Sequence, residues 1–269
     1  MEQYIELGKK ILKEGHTEQS RVGPTIALHN QLLSFNLLMG FPLMTTKYVG
    51  HKSIINELLW YLKGTTNIKY LKEHKVHVWD KFATSDGEIG KTYSYQFRNF
   101  NGIDQITTVI NQLNKFSEDG ITDRRAIINL YNIADLNEMS IPPCIALIQF
   151  NIYEKNNIKY LNTSVYQRSG DFCLGVPYDI AEMALLAEII ATYTNTFPHK
   201  LDIFYSNIHI YKAHIEMLEE QLKNLPRRLP NLFKHSLEIR RRKPEELTED
   251  LFIITDIPEG RKKYKYELF

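Results

Sequence analysis

Residues 144–167, CIALIQFNIYEKNNIKYLNTSVYQ, contain two runs rich in β-branched and aromatic residues with a polar turn between them. The runs extend from Cys144 to Tyr153 and from Ile158 to Gln167, and residues 154–157, EKNN, are of types that favour turns. This stretch predicts two antiparallel strands joined by a short hairpin. The elements on either side must therefore pack against a sheet.

Downstream of the hairpin, residues 180–193, IAEMALLAEIIATY, are nearly all apolar. The run is too short to span a bilayer and is interrupted by Glu182 and Glu188, so it predicts a buried central helix. Four further elements are expected after it: a strand from Leu201 to Ser206, a helix from about His209 to Lys223, and two short β-like segments around Glu238 and Phe252.

Upstream of the hairpin, helical and extended patterns alternate. Helices are predicted from Tyr4 to Gly15, His51 to Gly64 and Ile103 to Phe116, and extended segments from Thr25 to Leu37 and from Ala126 to Tyr131. The helix that begins at His51 carries Glu57 within its apolar stripe, where a carboxylate requires an explanation. Because no repeat or linker divides the chain, we expect one α+β domain over residues 1–269, with a large mixed or antiparallel sheet packed against helices.

Composition narrows the classes of function. The 269 residues are 43% hydrophobic and 24% charged, which is enough apolar material for a sizeable core. The net charge of +1 argues against a protein whose main role is to bind nucleic acid. Two separate cysteines, Cys144 and Cys173, predict neither a disulfide framework nor a metal site, and they fit a reducing, cytoplasmic compartment. The N-terminal residues lack a targeting pattern and no apolar run reaches spanning length, so no membrane partner is expected.

Cys144 is the candidate nucleophile, and a buried structural thiol is the alternative. Arg168 follows the partner strand of the predicted hairpin, so we expect it to lie near Cys144, where a cation favours the reactive thiolate. Arg21, Arg124 and Arg125 lie in or beside loops and offer the fixed positive charge that a dianionic phosphate needs. Each of these arginines alone is typical of a solvated surface.

At these positions the motifs, in order, resemble those of thymidylate synthase and its nucleotide hydroxymethylase relatives over nearly the whole chain. The matching motifs are Gly40-Phe41-Pro42-Leu43, Thr45-Thr46-Lys47, Glu57-Leu58-Leu59-Trp60, Val78-Trp79-Asp80, Asp123-Arg124-Arg125, Pro143-Cys144, Gln167-Arg168-Ser169, Asp171, Leu174-Gly175 and His209-Ile210-Tyr211. The resemblance implies the thymidylate synthase fold, in which a face of the sheet forms a homodimer.

The resemblance also implies roles for residues around the nucleotide. Cys144 would add to carbon 6 of a pyrimidine and make carbon 5 nucleophilic, Glu57 would organise proton transfers around the base, and Tyr93 would assist proton removal from carbon 5. The remaining nucleotide contacts would come from Arg21, Gln167, Arg168 and Ser169, from His209 and Tyr211 at the sugar, and from Arg124 and Arg125 of a second subunit.

The implied one-carbon donor is 5,10-methylenetetrahydrofolate. On the folate side, Asp171 resembles the residue that binds the pterin, and Lys47, Trp79 and Gly175 match other positions of the cofactor site. No metal is implied. The expected small-molecule partners are therefore a pyrimidine nucleotide and a folate.

Asp179 departs from the thymidylate synthase pattern. The family's uracil-reading asparagine follows a Leu-Gly-x-Pro-x motif, and here the run is Leu174-Gly175-Val176-Pro177-Tyr178-Asp179. Cytosine reverses the hydrogen-bonding pattern of uracil, and a carboxyl group that shares a proton can both donate to ring nitrogen 3 and accept from the exocyclic amine. A mismatched buried edge costs roughly 10⁴ in selectivity. Relatives that hydroxymethylate cytidylate have the same substitution, so Asp179 predicts a CMP or dCMP substrate.

Further departures concern the reaction itself. Ile145 and Gly170 stand where thymidylate synthases usually have histidine and cysteine, and the chain ends in a basic, aromatic tail, residues 260–269, instead of a short apolar one. A tail that seals the site poorly would admit water, which yields a hydroxymethyl group instead of a methyl group. The leading hypothesis is therefore a cytidylate 5-hydroxymethyltransferase. The alternatives are a thymidylate synthase acting on dUMP and a nucleotide- or RNA-binding protein that has lost catalysis, and the choice between ribose and deoxyribose stays open.

Overall fold

In a computed structural model of the chain, the structure describes residues 1–121 and 123–267. The helices are α1 (Glu2–Glu14), α2 (His51–Lys63), α3 (Lys69–Glu73), α4 (Tyr93–Arg98), α5 (Gln105–Asp119), α6 (Gly175–Tyr193), α7 (Ile215–Gln221) and α8 (Ser236–Arg241). The strands are β1 (His16–Ser20), β2 (Gly23–Asn36), β3 (Ile127–Asn129), β4 (Ile145–Lys155), β5 (Ile158–Gln167), β6 (Gly170–Asp171), β7 (Phe197–Tyr211), β8 (Asn231–Lys234) and β9 (Phe252–Thr255).

A mixed sheet organises the fold. Its strand order is β1-β2-β7-β5-β4-β3, with β6 added beside β7. Strand β7 pairs in parallel with β5 and β6, and the other pairs of this sheet are antiparallel. The helices pack on the sheet around one core of buried apolar side chains. The predicted α+β class, with a large mixed sheet against helices, is confirmed.

The hairpin that the sequence predicts is present as β4 and β5. Strand β5 has the predicted bounds, whereas β4 continues to Lys155 and leaves a two-residue turn at Asn156 and Asn157. Both asparagines have positive φ, 55° and 60°, which a type I′ turn requires and which asparagine tolerates better than most residues. The register of the two strands places Ile145, next to Cys144, opposite Gln167.

Two predictions for the second half of the chain are wrong. The helix expected from His209 begins only at Ile215, because β7 runs on to Tyr211 and pairs with β2, with His209 opposite Ala27. The β-like segment expected around Glu238 is helix α8, and the strand of that region is β8. In the first of these places pairing with a distant strand, which local periodicity does not report, decides the structure.

Helix α6 runs through the centre of the core, as its apolar sequence predicts, and begins five residues earlier than expected, at Gly175. Leu185 and Ile190 on it are fully buried. Helix α2 packs against α6, and the carboxyl groups of Glu57 on α2 and Glu182 on α6 point into the protein. Among the described residues, no helix is both long enough and apolar enough to cross a membrane.

Candidate active site

Cys144 lies immediately before β4, at the carboxyl end of β5 and the amino end of α4. The backbone N–H groups of Cys144 and Ile145 donate to the hydroxyl oxygen of Tyr93, at 2.6 and 3.2 Å. Arg168 donates its backbone N–H to the carbonyl of Cys144 at 2.8 Å, and its guanidinium holds the carbonyls of the two preceding prolines. The structure therefore brings Cys144, Tyr93 and Arg168 together, and the position of Arg168 beside Cys144 is the one that the predicted hairpin gives.

Electrostatics leave the thiol of Cys144 protonated in the absence of a ligand. Burial raises its pKa to about 11, and the negative charge of Asp179 raises it further, whereas the positive charge of Arg168 and a hydrogen bond from Tyr93 lower it. The sequence-based expectation that Arg168 favours the thiolate is right in sign. Desolvation is the larger effect at this site, so a thiolate has to be generated during the reaction.

Glu57 occupies the apolar face of α2 because several donors surround it. Its Oε1 accepts hydrogen bonds from the indole of Trp79 at 2.6 Å and from the hydroxyl of Tyr61 at 3.0 Å. Burial raises the pKa of Glu57, and hydrogen bonds from Glu182, Trp79 and Tyr61 oppose that rise. The ring of Tyr61 stacks on Tyr93 with centroids 5.1 Å apart, which connects this carboxylate to the neighbourhood of Cys144.

Asp179 lies in the first turns of α6, and Gln167 of β5 fixes its carboxyl group. The amide nitrogen of Gln167 donates to Oδ2 of Asp179 at 2.7 Å and to the carbonyl of Ser169 at 3.0 Å. Burial raises the pKa of Asp179 to about 7, helped by the charges of Glu57 and Asp171 and opposed by the Gln167 hydrogen bond. This carboxyl group therefore exists in both protonation states at neutral pH.

Three of the residues expected on the folate side, Lys47, Asp171 and Gly175, lie close together, whereas Trp79 contacts Glu57. Lys47 is buried and donates to the carbonyl of Cys173, and burial lowers its pKa to about 8. Asp171 accepts the backbone N–H groups of Cys173 and Leu174, and burial raises its pKa to about 6. Gly175 lies between the two aspartates, since a Cβ atom there would make ordinary contacts at 3.6 Å from Oδ2 of Asp179 and 4.0 Å from Cβ of Asp171.

The departure at Gly170 has a steric cause. A Cβ atom at this position would lie 2.9 Å from the ring of Tyr205 and 3.0 Å from Val176. Both neighbours are fully buried, so a cysteine here would require the core to shift. The ring of Tyr205 thus occupies the space that a side chain at residue 170 would need.

The C-terminal tail packs against this folate side. The ring of Tyr266 lies 4.6 Å from Nζ of Lys47, and its hydroxyl donates to Gln221 at 2.8 Å. The backbone N–H of Glu267 donates to Nε2 of His214 at 3.1 Å. These contacts are aromatic and polar. Leu268 and Phe269, which belong to the tail hypothesis, lie outside the described residues.

Three of the predicted sugar and phosphate residues, Arg21, His209 and Tyr211, lie where β1, β2 and β7 meet. His209 and Tyr211 extend from β7, and Nδ1 of His209 bonds the amide oxygen of Asn207 at 2.9 Å. Burial lowers the pKa of His209 to about 4, so its ring is neutral at pH 7. Arg21, in the turn between β1 and β2, is exposed. Burial raises the pKa of Tyr211, and the charge of Arg21 is close enough to oppose that rise slightly.

Arg124 and Arg125 lie apart from this group. They precede β3, which is the edge strand at the other side of the sheet. Strand β3 lies four strand positions from β2, which corresponds to about 19 Å across the sheet. Both are exposed, and Arg125 pairs with Asp123 at 2.9 Å. The described chain does not bring these two arginines to the site that holds Arg21.

Two groups of described residues place donor atoms for a metal ion within 4.8 Å of one another: His16, Glu18 and His29, and Asp171, Cys173 and His214. In the first group both imidazoles already bond Glu18, at 2.8 and 2.9 Å. The expectation that the reaction uses no metal stays a prediction.

Three residues of the site were not predicted as functional. Tyr61 supports Glu57 from one helical turn away, Asn207 orients His209, and Glu182 contacts Glu57. For Glu182 a signal existed, since an acid interrupts an otherwise apolar helix three residues after Asp179. The other two have ordinary sequence surroundings.

Comparison with known proteins agrees with this geometry. The family model described as "Thymidylate synthase" matches residues 2–259. The protein named thymidylate synthase from Buchnera aphidicola subsp. Schizaphis graminum (strain Sg) is 38% identical over 238 residues, which cover 86% of this chain and 87% of that protein.

Proposed function

The chain belongs to the thymidylate synthase family, whose members transfer a one-carbon unit from methylenetetrahydrofolate to a pyrimidine nucleotide, and within that family we propose that it is a cytidylate 5-hydroxymethyltransferase. Its substrate would be CMP or dCMP, and water would capture the one-carbon unit to give the 5-hydroxymethyl nucleotide. The observation that carries the proposal is the partly buried carboxyl group of Asp179, held by Gln167 and with a pKa of about 7.

Base selection follows from that carboxyl group. In its protonated form Asp179 donates to ring nitrogen 3 of cytosine and accepts from the exocyclic amine, whereas uracil presents a donor at nitrogen 3 and an acceptor at carbon 4. The hydrogen bond from Gln167 occupies Oδ2 as an acceptor, which favours the proton on Oδ1 and fixes the order of donor and acceptor that the base meets. Because a pKa near 7 makes the protonated form available at neutral pH, the cytosine pairing needs little additional free energy.

The chain's own residues supply attack and proton handling. Sγ of Cys144 adds to carbon 6 of the base, and the positive charge of Arg168 together with the hydroxyl of Tyr93 stabilises its thiolate. Glu57, fixed by Trp79 and Tyr61, organises the proton transfers around the base.

The folate residues fit a methylenetetrahydrofolate, which supplies the one-carbon unit when it is bound. Asp171 presents a partly buried carboxyl group that can accept from a pterin amide and amine, and Lys47 adds a cation. The polar contacts of the tail support the hydroxymethyl outcome, because Tyr264 and Tyr266 form a cover with hydrogen-bonding groups that can admit water.

A homodimer would complete the site. Leu32, Phe204 and Tyr166 are neighbours in the sheet register, and Leu32 and Tyr166 are 60% and 41% exposed. Such an apolar patch on a sheet face supports association with a second copy. The position of Arg124 and Arg125 at the far edge supports their entry into the partner's phosphate site. The free thiols of Cys144 and Cys173 support a cytoplasmic location.

Thymidylate synthesis from dUMP is the second candidate, and the name of the 38% identical relative favours it. The test is to incubate the protein with methylenetetrahydrofolate and CMP, dCMP, UMP or dUMP in turn, and to measure the base mass and dihydrofolate absorbance together. A hydroxymethylated cytosine without dihydrofolate supports the proposal and identifies the sugar. A methylated uracil with dihydrofolate overturns it, and binding of a nucleotide without any product indicates a protein that has lost catalysis.

A further inference from the structure

Glu182 is a buried acid that the proposed mechanism does not use. It lies on α6, three residues after Asp179, and is 3% exposed between fully buried Ala181 and almost fully buried Met183. The titratable groups around it are Glu57 and Tyr61 of α2 and Asp179 and Tyr178 of α6. None of these four groups carries a positive charge, so Glu182 has no cation to balance it there.

Helices α2 and α6 pack together and bring the buried carboxyl groups of Glu57 and Glu182 within hydrogen-bonding reach, an interaction that lowers the pKa of Glu57 and raises that of Glu182. Two ionised carboxylates repel, so this contact requires a proton between them. Oε1 of Glu182 is buried and meets no donor among the described residues, which agrees with a neighbour that is itself a carboxyl group. One proton is therefore shared by the pair.

The surroundings place that proton on Glu182. Oε1 of Glu57 already accepts from Trp79 and Tyr61, and these two donors stabilise the anionic form of Glu57. Burial, followed by the charges of Glu57 and Asp179, raises the pKa of Glu182 well above its usual range. Glu182 is thus the neutral acid of the pair and Glu57 the anion.

We propose that Glu182 is a positioning residue that, in its protonated form, donates a hydrogen bond to Glu57 and holds that carboxylate ready for proton transfer at the base. This inference rests on the proposed function, since it gives Glu57 its role in the reaction. It assigns a task to the acid that interrupts the apolar sequence of α6. It also explains how a third acid is accommodated beside Glu57 and Asp179 with no lysine or arginine among the groups around it.

Infrared spectroscopy tests the protonated acid without relying on activity. At about pH 8.5, above the pKa of about 7 for Asp179 and about 6 for Asp171, the wild-type protein should still show the carbonyl stretch of a protonated carboxylic acid. Glu182→Gln should remove that band. Glu188→Gln, a variant of a second acid on α6 that pairs with Lys234, should retain it. Absence of the band in the wild type, or its survival in Glu182→Gln, would overturn the proposal even if every nucleotide assay fails.

Kinetics on the nucleotide that the protein modifies test the positioning role. Glu182→Met removes the donor, so the acid limb of the kcat profile should move up by about one to two pH units and kcat at pH 7 should fall about ten- to hundredfold. KM for the nucleotide should stay within about twofold, because Glu182 does not touch it. Glu182→Gln restores a donor and should return kcat and the acid limb to near wild type.

Equal loss in both variants, or a change in KM alone, would show that Glu182 shapes the pocket and does not act through Glu57. If Glu182→Met fails to fold, the infrared comparison of Glu182→Gln with Glu188→Gln still decides whether Glu182 is the protonated acid, because only Glu182→Gln should lose the band. A failure of the proposed function leaves a different pattern: the infrared band behaves as expected and no cytosine product forms.

Discussion

Replacing Asp179 with asparagine should change how the stability of the protein depends on pH. The amide side chain keeps the shape of the carboxyl group and an oxygen that accepts from Gln167, but it cannot ionise. Burial raises the pKa of Asp179 in the folded protein from its ordinary value of 3.8 to about 7. In the unfolded chain the carboxyl group loses its proton near the ordinary value, so across this range the folded state binds more protons than the unfolded state.

The sign and size of the effect follow from this difference. The stability that the raised pKa provides is fully present below about pH 4 and is lost as the pH rises through about 7. A gap of about three pKa units corresponds to about 4 kcal/mol. Because Asp179 keeps some contact with solvent, which screens its charge, this is the largest change that we expect. Asp179→Asn lacks the effect, so relative to the wild type its free energy of unfolding should rise by up to about 4 kcal/mol over the same range.

Urea unfolding of both proteins at several pH values between about 4 and 7.5 measures the difference. All samples need the same protein concentration, since dimer dissociation makes apparent stability depend on it. Glu238→Gln, which removes a surface carboxylate paired with Arg241 at 3.2 Å, serves as the control and should change stability by less than about 1 kcal/mol. A difference between Asp179→Asn and the wild type that stays constant within about 1 kcal/mol would show that Asp179 is ionised throughout, which removes the shared proton from the account of cytosine recognition.

Three further outcomes are expected. Cys144→Ser should abolish product formation, because serine is a poor nucleophile at a site without a strong base. Its affinity for the nucleotide, measured by calorimetry, should stay within about threefold of the wild-type value. Retained turnover would contradict the role of Cys144. Dimers of Cys144→Ser and dimers of the double variant Arg124→Ala/Arg125→Ala should each be inactive. After they are mixed and exchange subunits, activity should return to up to about a quarter of the wild-type value, since each mixed dimer holds one intact site. No recovery despite exchange would place both arginines outside the partner's site. Leu185→Ala, in the fully buried face of α6, should lower the free energy of unfolding by about 2–5 kcal/mol, and a loss below about 1 kcal/mol in urea would mean that α6 is not the rigid core helix described.

The sequence by itself determined the local elements and the identity of the chemical groups. Alternating β-branched residues predict β4 and β5, the apolar run predicts α6, and both signals survive because each depends on neighbours in the chain. The ordered motifs were enough to indicate the family and to single out Cys144 and Asp179. These conclusions need residue types and spacing alone.

Tertiary structure decided what depends on distant contacts. His209 and Tyr211 lie on a strand because β2 pairs with β7, which no local periodicity shows. The protonated state of Cys144, the pKa of Asp179 and the proton between Glu182 and Glu57 all follow from burial and from groups far away in sequence. The free energy of a charged group in a low-dielectric interior depends on its three-dimensional surroundings. The sequence therefore reveals the residue types, whereas their protonation states and mutual positions require the fold.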